Sequence, residues 1–300
     1  MGKAKAIYQL MRLEHGVMLF IAIVIGSLIS QQTLHHNLNL PFLNIVLTFC
    51  TALFLEASTF ALNDYYDLEI DRLNNRTDRP LVRGDLSPKT AVYLFFFFFP
   101  LGLICSFFVN IPCFIIALVT ALISVLYDMK IKKVKLVGNF YIAYIMAIPF
   151  VFGGATVLQN NVFSFGTINP VIYVIALIAF LAGAGREIMK DVMDLEGDLK
   201  KGVKSFPRYI GTRASNSIAA AFYLIAIGLS FLPYFLPGYG LYYQNNYYFI
   251  LVFITDTMLL STSIQLILKK HPRMGFNRKF TLLALFIGLL AFLVGALLGG

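Results

Sequence analysis

Two acidic stretches of this 300-residue chain each follow a long apolar run and carry oxygen ligands at helical spacing. Residues four apart drift by only about 40° around a helix axis, so Asn63, Asp67 and Asp71 would share one face. The second stretch repeats the pattern at i, i+3 and i+7, with Asp191, Asp194 and Asp198. Facing stripes of carboxylates repel each other unless cations lie between them. We therefore predict bound Mg²⁺, which takes hard oxygen ligands and commonly completes its shell with phosphate oxygens.

Basic side chains near both stripes predict that the ligand carries phosphate. Arginine binds phosphate through a planar fork of donors, and a lysine at the mouth of the site would neutralise a departing diphosphate. We expect diphosphate contacts from Arg72, Arg79, Lys130 and Lys190. For Lys190 and its neighbour Arg186, pairing with the second acidic stripe is an open alternative. The other lysines of the loop after Lys130 are interpreted as charges that set membrane orientation; they are Lys132, Lys133 and Lys135.

The composition is that of a membrane protein. Apolar residues make up 59% of the chain and charged residues 13%, whereas a soluble domain typically carries about 25% charged residues. The cysteines are odd in number and all lie in apolar runs, at Cys50, Cys105 and Cys113. This pattern predicts buried, reduced thiols and no disulfide framework.

Nine apolar segments, most of them near the ~20 residues that cross a bilayer, predict nine transmembrane helices. Their approximate bounds are 14–30, 41–62, 91–109, 111–127, 137–157, 170–187, 216–235, 246–268 and 280–299. The predicted fold is an all-α polytopic membrane protein that forms one domain over residues 1–300. We expect its helices to surround a central cavity that opens to the cytoplasmic side.

The spacing of the two stripes hints at an internal repeat. Asp67 and Asp194 are 127 residues apart, as are Asp71 and Asp198. The helix that carries the second stripe is therefore four spans after the helix that carries the first, and an even offset gives both helices the same orientation. The repeat would consist of two four-helix halves, about 14–127 and 137–268, followed by a ninth helix at 280–299.

The distribution of positive charge predicts the orientation. All 24 basic residues lie in the N-terminus or in the stretches 72–89, 130–135, 186–213 and 269–279. By the positive-inside rule these regions are cytoplasmic, so the N-terminus and both acidic stripes lie inside and the C-terminus lies outside. We expect an integral protein of the cell membrane. The net charge of +9 then reflects orientation, and no nucleic-acid partner is predicted.

These motifs resemble those of the UbiA superfamily of intramembrane prenyltransferases. The segment Asn63-Asp64-x-x-Asp67-x-x-x-Asp71, followed by Arg79-Pro80-Leu81 and Gly84, is similar to the first family signature. Asp191-x-x-Asp194-x-x-x-Asp198 is similar to the second, and Tyr127-x-x-Lys130 resembles the tyrosine–lysine loop of the family. The likeness covers nearly the whole chain. It implies nine helices with both motifs on the cytoplasmic side.

The resemblance implies an enzyme that binds a polyprenyl diphosphate through Mg²⁺ and ionises it to an allylic cation, which an acceptor nucleophile then captures. The first stripe would hold one metal ion and the second stripe the other. Tyr127 and Lys130 would lie near the diphosphate. No residue stands out as the general base for the proton of the acceptor, and we assign this role to Asp64.

Three further stretches, 138–140, 152–155 and 186–191, are most similar to the archaeal ether-lipid branch of the family. That branch transfers a geranylgeranyl group from geranylgeranyl diphosphate to the free hydroxyl of geranylgeranylglyceryl phosphate, a lipid-like phosphate acceptor, forming the second ether bond of archaeal membrane lipids. Residues 12–15 depart from the Arg-Pro pairing of this branch, so an aromatic acceptor such as 4-hydroxybenzoate is the alternative. An anionic lipid transporter is a more distant alternative, because transport gives no reason for metal-type ligands on one side.

Overall fold

The computed structural model describes residues 2–73, 75–200 and 203–299, and almost all of its regular structure is helical. The α-helices, in chain order, are α1 (Lys3–Met11), α2 (Gly16–His35), α3 (Phe42–Leu73), α4 (Pro80–Arg83), α5 (Pro88–Val109), α6 (Ile111–Met129), α7 (Lys135–Ala155), α8 (Pro170–Lys200), α9 (Phe206–Ser230), α10 (Leu232–Phe235), α11 (Asn246–Leu268) and α12 (Met274–Leu298).

Nine spans in the described part of the chain are long and apolar enough to cross a membrane. They are α2, α3, α5, α6, α7, α8, α9 together with α10, α11 and α12. The prediction of an all-α polytopic membrane protein with nine transmembrane helices is confirmed. The central cavity and its cytoplasmic opening stay predictions.

Several predicted spans are too short. α3 continues to Leu73 instead of ending near 62, and α8 continues to Lys200 instead of 187. α9 begins at Phe206 instead of 216, with a kink at Gly211, where φ is 79°. The apolar segment of a span ends near the edge of the hydrocarbon core. The helix itself can continue farther, because charged residues are also compatible with helical structure. The 32 residues of α3 span about 48 Å, against a hydrocarbon core of about 30 Å. Both acidic stripes therefore lie on helix ends that reach beyond the hydrocarbon.

A short helix before the first span is absent from the sequence prediction. α1 buries Ala6 and Leu10 against a cluster that includes Ala61 and Leu68 of α3. It ends at Arg12, which adopts a left-handed backbone conformation with φ of 50°. This turn carries the Arg12 guanidinium over the Phe60 ring, 4.3 Å from its centroid. An N-terminal basic residue is thereby brought onto the helix that carries the first stripe.

A polar residue fixes the tight turn between α5 and α6. The Asn110 side chain caps α6 by accepting a hydrogen bond from the backbone N–H of Cys113 at 2.8 Å. Its amide also donates to the backbone carbonyls of Ala155 and Leu158. The N-terminus of α6 is therefore joined to the C-terminus of α7, at the end of the bundle opposite the acidic stripes.

α2 and α7 pack with their backbones in direct contact. Ser27 donates a hydrogen bond from Oγ to the carbonyl oxygen of Gly153 at 2.9 Å. A Cβ atom added to Gly153 would clash with the carbonyl of Ile23, and one added to Gly26 would clash with that of Phe150. Small residues allow the two helices to pack this closely. In lipid, where the hydrophobic effect does not drive helix association, such close packing stabilises the helix pair.

We expect Gly153→Ala to lower the free energy of unfolding by about 1–3 kcal/mol, because the added methyl group must push two backbones apart. Thermal unfolding in detergent would measure the loss. Gly228→Ala is the matched control, since a Cβ added at Gly228 of α9 meets no neighbouring helix. Equal stability changes in the two variants would contradict the close-packing account.

Candidate active site

The first acidic stripe lies near the C-terminal end of α3 and contacts residues from the end of α6 and the following loop. Asn63 donates a hydrogen bond from Nδ2 to Oδ1 of Asp128 at 2.8 Å. Asp67 forms an ion pair with Lys132. Because its amide nitrogen is engaged by Asp128, Asn63 keeps its carbonyl oxygen for a cation. Asp128 thus orients a predicted ligand, although sequence analysis assigned it no role.

Asp64 lies beside this stripe and is held between two arginines. Oδ1 of Asp64 accepts hydrogen bonds from Arg12 at 2.8 Å and from Arg79 at 2.7 Å. The Asp64 side chain is only 2% exposed. Arg79 also brings its Nε to 3.9 Å from Asp71. The segment around Arg79 and the N-terminal segment are therefore both joined to the helix that carries the first stripe.

The second stripe lies near the C-terminal end of α8 and is partly neutralised by α7. Asn139 donates a hydrogen bond to Asp191 at 2.7 Å. Lys135 lies between two carboxylates, with Nζ 3.4 Å from Asp191 and 2.8 Å from Asp198. Asp194 is exposed and makes no hydrogen bond or ion pair with the described residues. It is the member of this stripe that is most accessible to a ligand from solution.

A single connection supplies the lysines for both stripes. After α6, a 3₁₀ turn at Ile131–Lys133 leads directly into α7. Val134 pairs with Lys204 in an isolated β-bridge, which attaches this connection to the segment after α8. Lys132 and Lys135 therefore reach α3 and α8, respectively. Both lysines were predicted from the sequence to be orientation charges only, and each also forms an ion pair with a member of a stripe. The side chain of Lys133 lies outside the described residues.

Other predicted basic ligands lie apart from the carboxylates of the stripes. Lys130 and Arg72 are exposed and form no ion pair with a described acidic residue. Lys190 contacts both carboxylate oxygens of Glu187 on its own helix, at 2.7 and 2.9 Å. Arg186 lies 3.4 Å from the same carboxylate. In this structure Lys190 and Arg186 thus pair with Glu187, which is not a member of the stripe, and their contact with phosphate stays a prediction.

Tyr127, predicted to lie near the diphosphate, is fixed by aromatic packing. Its ring stacks on Tyr141 with the centroids 4.1 Å apart. A Cβ atom added at Gly138 would lie 3.3 Å from the Tyr127 ring, so the glycine leaves room for it. α6 and α7 are thereby joined next to the connection that carries Lys132 and Lys135.

An exposed ion pair lies at the edge of the first stripe. Arg76 donates two hydrogen bonds to the carboxylate of Asp78, both at 2.8 Å. These bonds lower the pKa of Asp78 below its ordinary value and raise the pKa of Arg76. Both side chains are largely exposed, so solvent screening keeps the contribution of this pair to stability small.

The donor chemistry of both stripes suits Mg²⁺, because carboxylate and amide oxygens are its preferred protein ligands. Within the described residues, however, no three acidic, histidine or cysteine side chains lie close enough to form a ready-made metal cluster. Ammonium groups lie among the carboxylates instead, at Lys132 and Lys135. The side chains that could hold a cation are thus present, but three of them, Asp67, Asp191 and Asp198, are engaged with lysine.

Each half of the chain contains a hydrogen bond that has a counterpart at the equivalent position in the other half. Arg12 donates to Asp64, Asn139 donates to Asp191, and both pairs are separated by 52 residues. Each member of the second pair lies 127 residues after its counterpart, the same offset as between the two stripes. The donor is charged in one half and neutral in the other, and the repeat of two four-helix halves stays a prediction.

A sequence model of the UbiA prenyltransferase family matches residues 19–290, most of the chain. The chain belongs to the UbiA prenyltransferase family. The predicted resemblance is confirmed, and with it the prediction of an enzyme that transfers prenyl groups. UbiA membership also favours an enzyme over the transporter alternative.

Named UbiA relatives match over almost their full length. A digeranylgeranylglyceryl phosphate synthase from Archaeoglobus fulgidus is 40% identical over 298 residues, which cover 97% of this chain and 95% of that protein. A solved structure of digeranylgeranylglyceryl phosphate synthase in membranes is 34% identical, with a TM-score of 0.79 and 99% of both chains covered. A UbiA homologue from A. fulgidus bound to DMAPP and Mg²⁺ is 18% identical, with a TM-score of 0.58 and coverage of 95% and 98%. This last likeness shows the UbiA fold alone.

Sequence reasoning missed the side chains that hold the UbiA motifs in place. These are Arg12, Asp128, Lys132, Lys135 and Asn139. Two of them gave a usable signal: Asp128 lies within the Tyr127–Lys130 motif, and Asn139 lies in a stretch already compared with the family. The lysines gave none, because positive-inside bias explains any cytoplasmic lysine equally well.

Proposed function

We propose that this protein transfers a geranylgeranyl group from geranylgeranyl diphosphate to the hydroxyl of geranylgeranylglyceryl phosphate, forming the second ether bond of archaeal membrane lipids. The observation that carries the proposal is the 40% identity to a digeranylgeranylglyceryl phosphate synthase across 97% of this chain. The stretches at 138–140 and 186–191, which first indicated this branch, include Asn139 and Asp191, and these two side chains contact each other.

Mg²⁺ is the proposed cofactor, and a UbiA relative bound to DMAPP and Mg²⁺ supports it. The donor atoms would come from Asn63, Asp67 and Asp71 on α3 and from Asp191, Asp194 and Asp198 on α8. When bound, the metal neutralises charge that develops on the diphosphate as the allylic carbon–oxygen bond breaks. Asp128 and Asn139 orient one member of each set by hydrogen bonds.

Basic side chains of this chain would bind the diphosphate oxygens. We assign this role to Arg72, Arg79, Lys130 and Lys190, with Tyr127 beside them. The exposed Arg72 and Lys130 are free to reach a ligand from the polar side of the membrane. Arg79 and Lys190 are engaged with Asp64 and Glu187, so they would have to share or exchange these contacts.

Asp64 is the proposed base for the acceptor proton, and its contacts give it a second role. The two arginines beside it join α3 to the N-terminal segment and to the segment after α3. The roles differ in their consequences, since loss of a base reduces turnover and loss of a buried ion pair reduces stability.

The proposed orientation places the N-terminus and both motifs on the cytoplasmic side of the cell membrane, with the C-terminus outside. The positive-inside distribution of all 24 basic residues supports it. Membrane lipids then surround the nine apolar spans, and both proposed substrates reach the site from the bilayer with their phosphate groups at its cytoplasmic surface.

A prenyl-transfer assay with radiolabelled geranylgeranyl diphosphate tests the function. Purified protein in detergent or lipid would receive geranylgeranylglyceryl phosphate or 4-hydroxybenzoate as separate acceptors. We expect labelling of the glyceryl phosphate that stops on addition of EDTA and returns with excess Mg²⁺. Labelling of the aromatic acid alone would replace the proposed acceptor, and activity that persists in EDTA would overturn the metal assignment.

A further inference from the structure

Lys135 occupies a distinctive position in the second stripe. Its ammonium contacts two carboxylates of α8 at once, 2.8 Å from Asp198 and 3.4 Å from Asp191. Both aspartates are buried, at 7% and 3% exposure, so water screens their mutual repulsion poorly. The Lys135 ammonium lies within ion-pair distance of both carboxylates, so its positive charge offsets the repulsion between them.

The surroundings of Lys135 favour an exchangeable contact. Its side chain is 30% exposed, the most accessible of the three. It is the first residue of α7, directly after the 3₁₀ turn, and lysine has a flexible four-carbon chain with a compact charge. Asp191, in contrast, also accepts a hydrogen bond from buried Asn139, so the carboxylate stays in place when the ammonium leaves.

We propose that Lys135 is an internal counter-cation of the second stripe, which holds Asp191 and Asp198 together in the metal-free protein and gives way to a divalent cation. The proposal rests on the proposed function, because it takes these aspartates as metal ligands. Lys135 is then a positioning residue that competes with the metal. Lys132 forms an ion pair with Asp67 on α3, but it engages one carboxylate and not two.

Competition predicts an effect on cation binding that can be measured without turnover. Lys135→Met keeps the length of the side chain and removes its charge. We expect this variant in detergent, without diphosphate, to bind Mn²⁺ about tenfold more tightly than the parent protein, measured by electron paramagnetic resonance of free Mn²⁺. Lys135→Arg keeps the positive charge and should leave the affinity close to that of the parent.

Two controls separate this proposal from the proposed function. Lys89→Met removes a positive charge on the same, predicted cytoplasmic, side at an exposed position that makes no ion pair with a described acidic residue, and should not change Mn²⁺ affinity. Asp198→Asn removes a proposed ligand and should weaken Mn²⁺ binding. Thermal unfolding and size-exclusion chromatography would establish that each variant is folded.

The outcomes are distinct. Unchanged or weaker Mn²⁺ binding by folded Lys135→Met, with binding still lost in Asp198→Asn, would overturn the counter-cation role and leave the metal assignment standing. Unchanged Mn²⁺ binding by Asp198→Asn would overturn the metal assignment itself. If Lys135→Met and Lys89→Met increased Mn²⁺ affinity equally, the cause would be the change in net charge. That result would also overturn the proposal.

Discussion

Replacing Asp194 with alanine is expected to reduce prenyl transfer by about 10³-fold, a loss typical of removing one preorganised electrostatic contact from an active site. Asp194 is exposed and makes no hydrogen bond or ion pair with the described residues, so its removal leaves no neighbour without a partner. The thermal unfolding temperature should therefore stay unchanged. Radiolabelled product formed per minute, at saturating Mg²⁺ and donor, measures the effect.

Glu196→Ala is the control for Asp194→Ala. Glu196 lies on the same helix, is also exposed, and falls outside the stripe. Its loss removes the same charge at almost the same place, so turnover should change little. Asp67→Ala should be as inactive as Asp194→Ala, although it also leaves Lys132 without its carboxylate. Full activity in both aspartate variants would remove the stripes from the mechanism.

Asp64→Asn should destabilise the protein by about 3–5 kcal/mol, because it leaves two buried or half-buried guanidinium groups without their carboxylate. Arg12 and Arg79 both donate to the same oxygen of Asp64. Thermal unfolding in detergent measures the loss. Asp78→Asn is the comparison, since Asp78 is 60% exposed and its pairing with Arg76 contributes at most about 1 kcal/mol.

The same variant tests the proposed base. Turnover would be measured well below the unfolding temperature and expressed per folded molecule. If Asp64 accepts the acceptor proton, folded Asp64→Asn loses about 10²-fold or more in turnover, as expected for the loss of a general base. Full turnover by the folded fraction would leave Asp64 as a structural residue and end its assignment as a base.

The fold was predictable because the bilayer imposes a simple rule on sequence. A span must be long and apolar, so nine spans follow from hydropathy. The ends of α3, α8 and α9 were not predictable in this way, since polar residues continue a helix without changing the apolar signal. α1 was also missed, because its nine residues are too few to span and are held by packing against α3.

The acidic stripes were predictable because their members lie on one helix and share its periodicity. Their partners lie on other elements, and sequence spacing carries no information about such contacts. Lys130 was chosen as the lysine nearest the membrane, yet its backbone leaves the helix at φ of −135°. The following turn directs Lys132 and Lys135 toward the aspartates. The path of the loop thus decides which lysines pair with the aspartates, and the contact of Lys130 with diphosphate stays a prediction.

The length of α3 and α8 has a consequence for the course of the reaction. Both helices extend beyond the hydrocarbon core. The proposed site of carbon–oxygen bond cleavage therefore lies at the membrane–water interface. Under the proposed function, both prenyl chains stay dissolved in the membrane while the inorganic leaving group faces the aqueous phase. Diphosphate would be diluted as soon as it departs, and the ether product would remain in the bilayer where it is needed. Because its two products separate into different phases, the reverse reaction is disfavoured.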